Sequence, residues 1–229
     1  MKNKFSKRYK KLIEVPRNKN YLTVDQAIVN VKKNCTTKFD ESIDVSLTLN
    51  LKQKKEESNL RTVVNLPNGN GKKIKIAVLC EESKISEAKN SGAEIYGSDL
   101  LVNDITAGKI NFDKLIATPA MMSKMGKLGK ILGPKGLMPN PKLGTVTNNI
   151  VTAVKALKSG QIEIKNDKDA NVGASIGKKS FTDKKIIENY NSLIQTVLKE
   201  KPNGIKGDFI KSTFITSSMG ISYRLKVEK

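Results

Sequence analysis

GKLGKILGPKGLMPNPKLGTVT, residues 126–147, is the most unusual segment of this 229-residue chain. It contains five glycines, three prolines and four lysines, but no acidic residue. Glycine and proline destabilise the interiors of helices and strands, so this composition predicts a long shaped loop without either element. Loops of this length within a compact protein are usually functional or disordered, and the interspersed Leu, Ile, Met and Val favour a functional loop.

The whole chain shares the basic character of this segment. It has 42 Lys+Arg against 22 Asp+Glu, which gives a formal net charge of +20. A codon bias toward lysine explains why lysine outnumbers arginine, but it does not explain the large excess of cations over anions. This excess predicts an anionic polymer as partner, and a nucleic acid is the first candidate.

The residue types needed for most metal and nucleophile chemistry are missing. The chain has no histidine, and its two cysteines, Cys35 and Cys80, match no metal-binding spacing. Without histidine, Ser-His and Cys-His nucleophile systems are excluded. We therefore predict no catalytic residue, no metal and no cofactor, and two cysteines buried in a reducing cytosol. No stretch approaches the ~20 apolar residues of a membrane span, so a soluble cytoplasmic protein with no membrane partner is expected.

The periodicity of apolar residues divides the chain into three parts. The part before Pro67 begins with a basic arm over 1–20, and a helix follows that is capped by Thr23 and ends near Thr36 and Thr37. Two strands are predicted next, over 43–49 and 60–66, and a polar loop, 52–59, joins them.

After the turn-forming segment 66–71, nearly continuous apolar strands alternate with helices. The predicted strands are 74–80, 93–96 and 114–118, and the predicted helices are 83–91, 98–108, one opened by Pro119, and 148–158. This alternation predicts βαβ units and a mostly parallel sheet covered by helices on both faces.

Past Ser159 and Gly160 the alternating pattern returns. It predicts paired strands over 161–165 and 172–176, a helix over 182–200, and a C-terminal hairpin of 209–216 and 221–227 joined at 217–220. The predicted buried stripe of the helix consists of Ile186, Ile187, Tyr190, Leu193, Ile194, Val197 and Leu198.

Together these parts predict an α/β protein of two domains. Residues 1–66 plus 159–229 form a discontinuous two-layer α/β domain, and residues 71–158 form an inserted three-layer, Rossmann-like α/β domain. The connections at 67–70 and 158–160 act as hinges, so relative domain motion is expected. The outer domain carries 28 cations and 15 acids and the insert 14 and 7, which places the stronger field on the outer domain.

Four local motifs leave alternatives open. Gly133–Gly136 fits the GXXG of KH domains, which clamps a single-stranded backbone, although the flanking prolines disfavour the second helix of that fold. The methionines Met121, Met122 and Met125 form either a core stripe, which their helical spacing favours, or an adaptable binding surface. Phe39 either stacks on a nucleotide or fills the core. Ser218–Gly220 is either an ordinary hairpin turn or a small surface that a nucleic-acid backbone approaches.

Residues 128–147 closely resemble the signature of the bacterial L-one family of large-subunit ribosomal proteins. The agreement continues in matching order over nearly the whole chain, through Lys38–Ser42, Arg61–Pro67, Asn166–Lys168, Ile176–Lys178 and Lys206–Gly220. A match this long and ordered is specific.

The resemblance implies a structural constituent of the large ribosomal subunit. It implies three partners: stalk ribosomal RNA bound by the outer domain, exit-site tRNA whose release the inserted domain assists, and the mRNA of its own operon, which the protein represses. Off the ribosome the protein is expected to be monomeric. The family's RNA-contact roles fall on Lys38, Phe39, Ser42, Asp44, Lys168, Lys178, Ser212, Ser218, Met219 and Gly220. As an acid facing RNA, Asp44 would accept a hydrogen bond from a 2′-hydroxyl or a base amine.

Three departures from the family pattern are present. Ser218 stands where the family usually has threonine, Asn68 stands where histidine is common, and the residues after Gly220 lack the usual glycine and proline. Serine keeps the hydroxyl, so the role of position 218 is expected to be retained. The alternative function is a non-ribosomal RNA chaperone or regulator, and an enzyme is a distant third.

Overall fold

The computed structural model describes residues 5–14, 21–51, 60–202, 205 and 207–227. The predicted polar loop 52–59 and much of the basic arm lie outside these residues. The helices of the described residues are α1 (Lys7–Glu14), α2 (Val24–Lys33), α3 (Ile85–Asn90), α4 (Asp99–Thr106), α5 (Met122–Met125), α6 (Gly129–Leu132), α7 (Ile150–Lys158) and α8 (Asp183–Lys199). The strands are β1 (Ser42–Leu49), β2 (Arg61–Asn65), β3 (Ile76–Leu79), β4 (Ile95–Gly97), β5 (Lys114–Ala117), β6 (Gln161–Lys165), β7 (Asn171–Lys178), β8 (Ile210–Ser217) and β9 (Tyr223–Leu225).

The chain divides into two compact units. The first consists of residues 1–71 and 162–229, and the second consists of residues 72–161. Both units mix helices with strands, which confirms the predicted α/β class.

The first unit is built on a four-stranded antiparallel sheet of order β7-β1-β8-β9. Along β1, alternate residues are buried and the residues between them are not, so one face of the sheet points into the core. Helices α2 and α8 cover that face, which gives the two layers predicted for this unit. The C-terminal hairpin is confirmed, because β8 and β9 pair antiparallel with Ile215 opposite Tyr223.

Helix α2 begins as predicted and ends earlier than predicted. The Thr23 Oγ1 accepts a hydrogen bond from the Gln26 backbone N at 3.4 Å, which satisfies one free N–H of the first turn. The helix ends at Lys33, and Asn34 already has a non-helical ψ of 1°. Cys35, which follows the helix, is buried in the core cluster of this unit, as predicted for that cysteine.

Helix α8 shows a narrower buried stripe than predicted. Ile186, Tyr190, Leu193 and Val197 are buried at helical spacing, but Leu198 is exposed, so its assignment to the core was wrong. A buried polar residue, Asn189, joins the stripe instead, and its side-chain N donates to the carbonyls of Gly69 at 2.8 Å and Ile176 at 2.7 Å.

The predicted pairing of 161–165 with 172–176 was also wrong. Strand β6 forms a two-stranded sheet with β2, whereas β7 pairs with β1, and only an isolated bridge joins Asn166 to Val172. The physical cause is the turn between β6 and β7. The Asp167 carboxylate accepts from the backbone N of Asp169 and Asn171, and Ala170 adopts a φ of 61°. This turn separates the strands, so that Val172 and Ile176 reach the core beside β1.

The second unit has a parallel three-stranded sheet of order β4-β3-β5. Successive residues of β3 enter different apolar clusters. Ala77 and Leu79 pack with residues of α4, α5 and α6, whereas Ile76, Val78 and the following Cys80 pack with residues of α3 and α7. Both faces are therefore covered, which confirms the predicted three layers and the burial of Cys80.

The segment 126–147 is not free of helix, contrary to its predicted form. Residues Gly126–Leu128 form a 3-10 turn that leads into α6, and a second 3-10 turn spans Pro141–Leu143. Leu128 and Leu132 are buried in the apolar cluster of the second unit. Burying a leucine contributes about 1.5–3 kcal/mol, whereas a helical glycine costs about 1 kcal/mol, so packing outweighs propensity here.

The methionines near this segment are mostly core residues. Met121 and Met125 are buried in the same cluster, and Met122 packs against it. The core alternative is therefore confirmed for this stripe. No helix follows Gly133–Gly136 directly, as the flanking prolines predicted for this GXXG sequence.

Candidate nucleic-acid interface

Two loops meet where β1 begins, and we call this region the Ser42 end. One loop leads from α2 to β1, and the other is the turn between β8 and β9. The backbone N of Ser42 donates to Ser218 Oγ at 3.1 Å, and the Ser218 N donates to the Ser42 carbonyl at 3.0 Å. These bonds fix two segments that are 176 residues apart in sequence against each other.

Glu41 holds the two loops together from inside. Its side chain is completely buried. One carboxylate oxygen accepts from the backbone N of Thr37 at 3.2 Å and from the Thr37 hydroxyl at 2.8 Å, and the other accepts from the Met219 backbone N at 3.2 Å. The carboxylate therefore bonds to both loops at once.

The hydrogen bonds also determine how Glu41 titrates. Burial by itself raises the pKa of a carboxyl group, but the nearby Ser217 hydroxyl and the hydrogen bonds from Thr37 and Met219 together outweigh burial and lower the pKa of Glu41 below its ordinary value. Glu41 is therefore a carboxylate at neutral pH, and its negative charge is satisfied by donors instead of solvent.

The segment after β7 supports the same loop from a third side. The Asp40 carboxylate accepts from the backbone N of Ser180 at 3.1 Å and from its hydroxyl at 2.7 Å. Lys179 donates from Nζ to the Cys35 carbonyl at 2.8 Å and from its backbone N to the Glu41 carbonyl at 2.8 Å. Each acid of the Lys38–Ser42 motif thus serves the loop's conformation.

Phe39 and Met219 are exposed on this fixed framework. The exposed fractions are 55% for Phe39 and 48% for Met219. Phe39 therefore does not fill the core, and the core alternative for this residue was wrong. Two large apolar side chains exposed on a rigid backbone can stack on or pack against a ligand with little loss of conformational entropy.

Gly220 completes the turn for a steric reason. A Cβ at this position would lie 2.4 Å from the buried Oγ of Ser217, well inside the contact distance of two heavy atoms. The Gly220 backbone N also donates to the Ser217 carbonyl at 3.2 Å. A side chain at position 220 would therefore displace the turn that carries Met219.

The basic arm contributes a contact that the sequence did not predict. Arg8 on α1 donates from Nη1 to the Met219 carbonyl at 2.9 Å. Lys7, Arg8 and Lys11 line a cavity of about 500 Å³ with Leu12, Asn34 and Thr36. The arm thus brings positive charge directly beside the Ser42 end.

The face of the four-stranded sheet opposite α2 and α8 is polar, and we call it the open face. On β1 it consists of the part-exposed or exposed residues Ser42, Asp44, Ser46 and Thr48. Directly opposite residues of antiparallel strands share a face, so Thr216, Phe214 and Ser212 of β8 continue it. Hydroxyl groups dominate this surface, and Asp44 supplies an acceptor.

The structure brings most of the predicted contact residues together. Lys38, Phe39, Ser218, Met219 and Gly220 lie in the two loops at the Ser42 end, and Lys178 lies opposite Ser42 in the β1–β7 register. Ser42 and Asp44 lie on the open face beside them. The stem of Lys178 packs near Gly71, where an added Cβ would lie 3.1 Å from its Cγ.

Two predicted residues lie at the other end of the sheet. Ser212 is opposite Thr48, so it shares the open face but is about 20 Å along the strand from Ser42. Lys168 is exposed in the turn between β6 and β7, beyond Asn171, which is also opposite Thr48. These residues do not join the cluster at the Ser42 end.

Glu41 was missed as a functional residue, although the sequence carries a signal for it. It continues the odd-numbered alternation of Ile43, Val45 and Leu47, all of which are buried. Period-2 alternation therefore predicts an inward-facing acid, and a buried acid needs donors. Arg8 carries no comparable signal, because it is one of many cations in the arm.

Neither a metal-ligand cluster nor a membrane-spanning helix is found among the described residues. No group of three or more Cys, Asp and Glu side chains among them could hold a metal ion. Within the same part of the chain, no helix combines the length and apolar character needed to cross a membrane.

The structure is that of a basic α/β protein that exposes Phe39 and Met219 on two loops held together by hydrogen bonds. Comparison with known sequences assigns the family. A model of the "Ribosomal protein L1p/L10e family" matches residues 31–221. The chain is 58% identical to the "Large ribosomal subunit protein uL1" of Pelagibacter ubique (strain HTCC1062) over 98% of both chains.

More distant relatives agree. The "Large ribosomal subunit protein uL1c" of Phaeodactylum tricornutum (strain CCAP 1055/1) is 46% identical over 98% of both chains. The uL1 of Prochlorococcus marinus (strain NATL1A) is 44% identical over 100% of this chain and 97% of its own. The chain therefore belongs to the ribosomal protein L1 family, a family of structural RNA-binding proteins that are not enzymes.

Proposed function

We propose that this protein is a structural constituent of the large ribosomal subunit that binds the stalk ribosomal RNA through the Ser42 end and the open face. The observation that carries the proposal is the pair of exposed side chains, Phe39 and Met219, on two loops fixed by the buried Glu41. A preformed surface of this kind loses little entropy on binding.

Each predicted contact residue has a chemical role in this proposal. Phe39 stacks on an unpaired base, and Met219 packs against the RNA where Gly220 permits a close approach. Asp44 accepts from a 2′-hydroxyl or a base amine, while Ser42, Ser212 and Ser218 supply hydroxyls. The lysines contact phosphates, and these are Lys38, Lys168 and Lys178.

The family membership also supports roles beyond the rRNA contact. The discontinuous unit holds the stalk, and the inserted unit, residues 71–158 in the sequence-based division, moves with departing tRNA about the hinges at 67–70 and 158–160. The same RNA-binding surface represses translation of the protein's own operon by binding an mRNA structure similar to the stalk.

Substitution of Met219 by aspartate tests the interface. We predict that Met219→Asp weakens binding to a stalk rRNA transcript by about 1–3 kcal/mol, because it replaces an apolar contact by a charge that repels phosphate. The measurement is the Kd of the full chain at a fixed salt concentration. Leu100→Asp is the matched control, since Leu100 is 80% exposed on α4 of the second unit.

If the Met219→Asp protein bound RNA with the affinity of the wild type, the turn at Met219 would not belong to the interface.

The assignment to the ribosome has its own test. Sedimentation of cell extract after a moderate salt wash should leave the protein with large subunits. Recovery in the free fraction alone would favour a non-ribosomal RNA chaperone or regulator.

A further inference from the structure

A cation lies over two aromatic rings at the edge of the open face. Arg224 of β9 lies directly opposite Phe214 of β8, with its guanidinium carbon 5.9 Å from the centre of the Phe214 ring. The same carbon lies 4.7 Å from the centre of the Tyr21 ring. None of these three residues is among the contacts predicted from the sequence.

The backbone fixes Tyr21 at this edge. The Leu22 N donates to the Arg224 carbonyl at 3.1 Å, and the Lys226 N donates to the Leu22 carbonyl at 3.0 Å. Leu22 forms a parallel bridge with Leu225, so the chain at Tyr21 and Leu22 extends the sheet beyond β9. The backbone at Tyr21 therefore has a defined position beside Arg224, and the Tyr21 ring contacts the guanidinium group there.

Tyr21, Arg224 and Phe214 lie at one end of a row of residues that crosses all four strands of the open face. Gly173, Ser46, Phe214 and Arg224 are directly opposite one another on β7, β1, β8 and β9. Tyr21 is 57% exposed, and a Cβ at Gly173 would meet no atom within 4 Å. The row is therefore accessible at both ends, and its aromatic end has ring surface available for a ligand.

We propose that Tyr21, Arg224 and Phe214 form a base-stacking subsite for an unpaired nucleotide of the bound RNA, distinct from the Ser42 end. Unpaired bases stack on aromatic rings and on guanidinium planes, and this subsite offers both. The hydroxyl of Ser46, next along the row, lies where it can bond a sugar or a base edge. The net charge of +20 draws the RNA backbone to the surface. The inference rests on the proposed function and extends the RNA footprint across the sheet.

Substitutions that separate the ring from the charge test the subsite. The full chain is titrated with a stalk rRNA transcript and with an unrelated single-stranded RNA of the same length. Tyr21→Ala should weaken binding about 5- to 150-fold, the effect of losing one stacked base. Tyr21→Phe keeps the ring and should bind like the wild type. Tyr96→Ala, which removes an exposed tyrosine of the second unit, should also leave the Kd unchanged.

Arg224→Lys distinguishes stacking from a phosphate contact. Lysine keeps the charge but lacks the plane, so we expect weaker binding with an unchanged dependence of Kd on salt. A Tyr21→Ala protein that is as thermally stable as the wild type and binds both RNAs within about twofold of it would overturn the subsite. So would equal losses in Tyr21→Ala and Tyr21→Phe, because the hydroxyl would then be the recognised group.

The two RNAs keep this test separate from that of the proposed function. If the wild type bound the stalk and the unrelated RNA equally well, the ribosomal specificity would be contradicted. The ratio of the Tyr21→Ala and wild-type Kd values on either RNA would still decide the subsite.

Discussion

At the residue scale, the buried carboxylate of Glu41 connects two loops that the sequence places far apart. It accepts three hydrogen bonds, from the backbone and hydroxyl of Thr37 and from the backbone of Met219. The exposed Phe39 and Met219 therefore depend on a residue that cannot itself touch a ligand. Glu41 is a positioning residue for the proposed RNA contact.

We predict that Glu41→Gln lowers the free energy of unfolding at pH 7 by about 1–3 kcal/mol and weakens stalk RNA binding. The glutamine side chain keeps only one of the two acceptor oxygens of Glu41. An NH2 group takes the place of the other oxygen, so a donor of Thr37 or Met219 faces another donor and loses its acceptor. Thermal or denaturant unfolding and RNA titration measure the two effects. Glu82→Gln, which changes an exposed glutamate of the second unit, is the control.

The same substitution predicts a pH dependence with a definite sign. Because the pKa of Glu41 is lowered in the folded protein, its contribution is present above the ordinary value of 4.5 and is lost as pH falls through the folded pKa. The stability difference between wild type and Glu41→Gln should therefore shrink below pH 4.5. The lowered pKa values of Glu94, Asp113 and Asp167 affect both proteins equally and cancel in this difference. If the stability difference between the two proteins stayed constant with pH, Glu41 would not hold the two loops as an ionised carboxylate.

At the element scale, local periodicity predicted most helices and strands, but it did not predict every strand pairing. The alternation in β1 and the continuous apolar run of β3 each reflect burial of one or both sheet faces, which a sequence displays directly. The separation of β6 from β7 could not be predicted in this way. It depends on the turn at Asp167 and on which neighbouring strand allows the apolar side chains of β7 to enter the core.

The glycine-rich segment shows the same limit. Composition predicted a loop, since each glycine and proline is locally unfavourable to helix. The structure forms α6 there because Leu128 and Leu132 reach a core supplied by distant elements. Likewise, the stacking of Tyr21 on Arg224 joins residues near opposite ends of the chain, and no local pattern marks it.

Two neighbouring glycines test the helical form of this segment. Gly129 has φ −55° and ψ −35°, and a Cβ there would meet no atom within 4 Å. Gly129→Ala should therefore stabilise the protein by about 0.5–1 kcal/mol. At Gly133 a Cβ would lie 2.6 Å from the Gly129 carbonyl oxygen, so Gly133→Ala should destabilise it by about 1–3 kcal/mol. Denaturant unfolding compares the two, and equal effects would contradict the helical turn.

At the scale of the whole molecule, the proposal assigns RNA binding to the first unit. The Ser42 end, the open face and the Tyr21 edge all belong to residues 1–71 and 162–229. Residues 128–147, which carry the clearest resemblance to the family, lie in the second unit. The family residues at the Ser42 end were predicted by that resemblance, and the periodicity alone left Phe39 and the turn undecided.

Removal of the second unit is feasible because its two connections leave adjacent strands. The Asn166 N donates to the Leu60 carbonyl at 3.0 Å, so the end of β6 lies beside the start of β2. The end of β2 therefore lies beside the start of β6. Asn189 also binds the connection itself, by accepting from the Asn68 N and donating to the Gly69 carbonyl. Residues 1–71 joined to 161–229 by a short flexible linker keep these contacts.

The Kd of this shortened protein for a stalk rRNA transcript is the most direct test of the central claim. We predict that it binds within about tenfold of the full chain and that Met219→Asp weakens it as much as it weakens the full chain. A shortened protein that unfolds cooperatively but no longer prefers stalk RNA to unrelated RNA would contradict the assignment of RNA binding to the first unit.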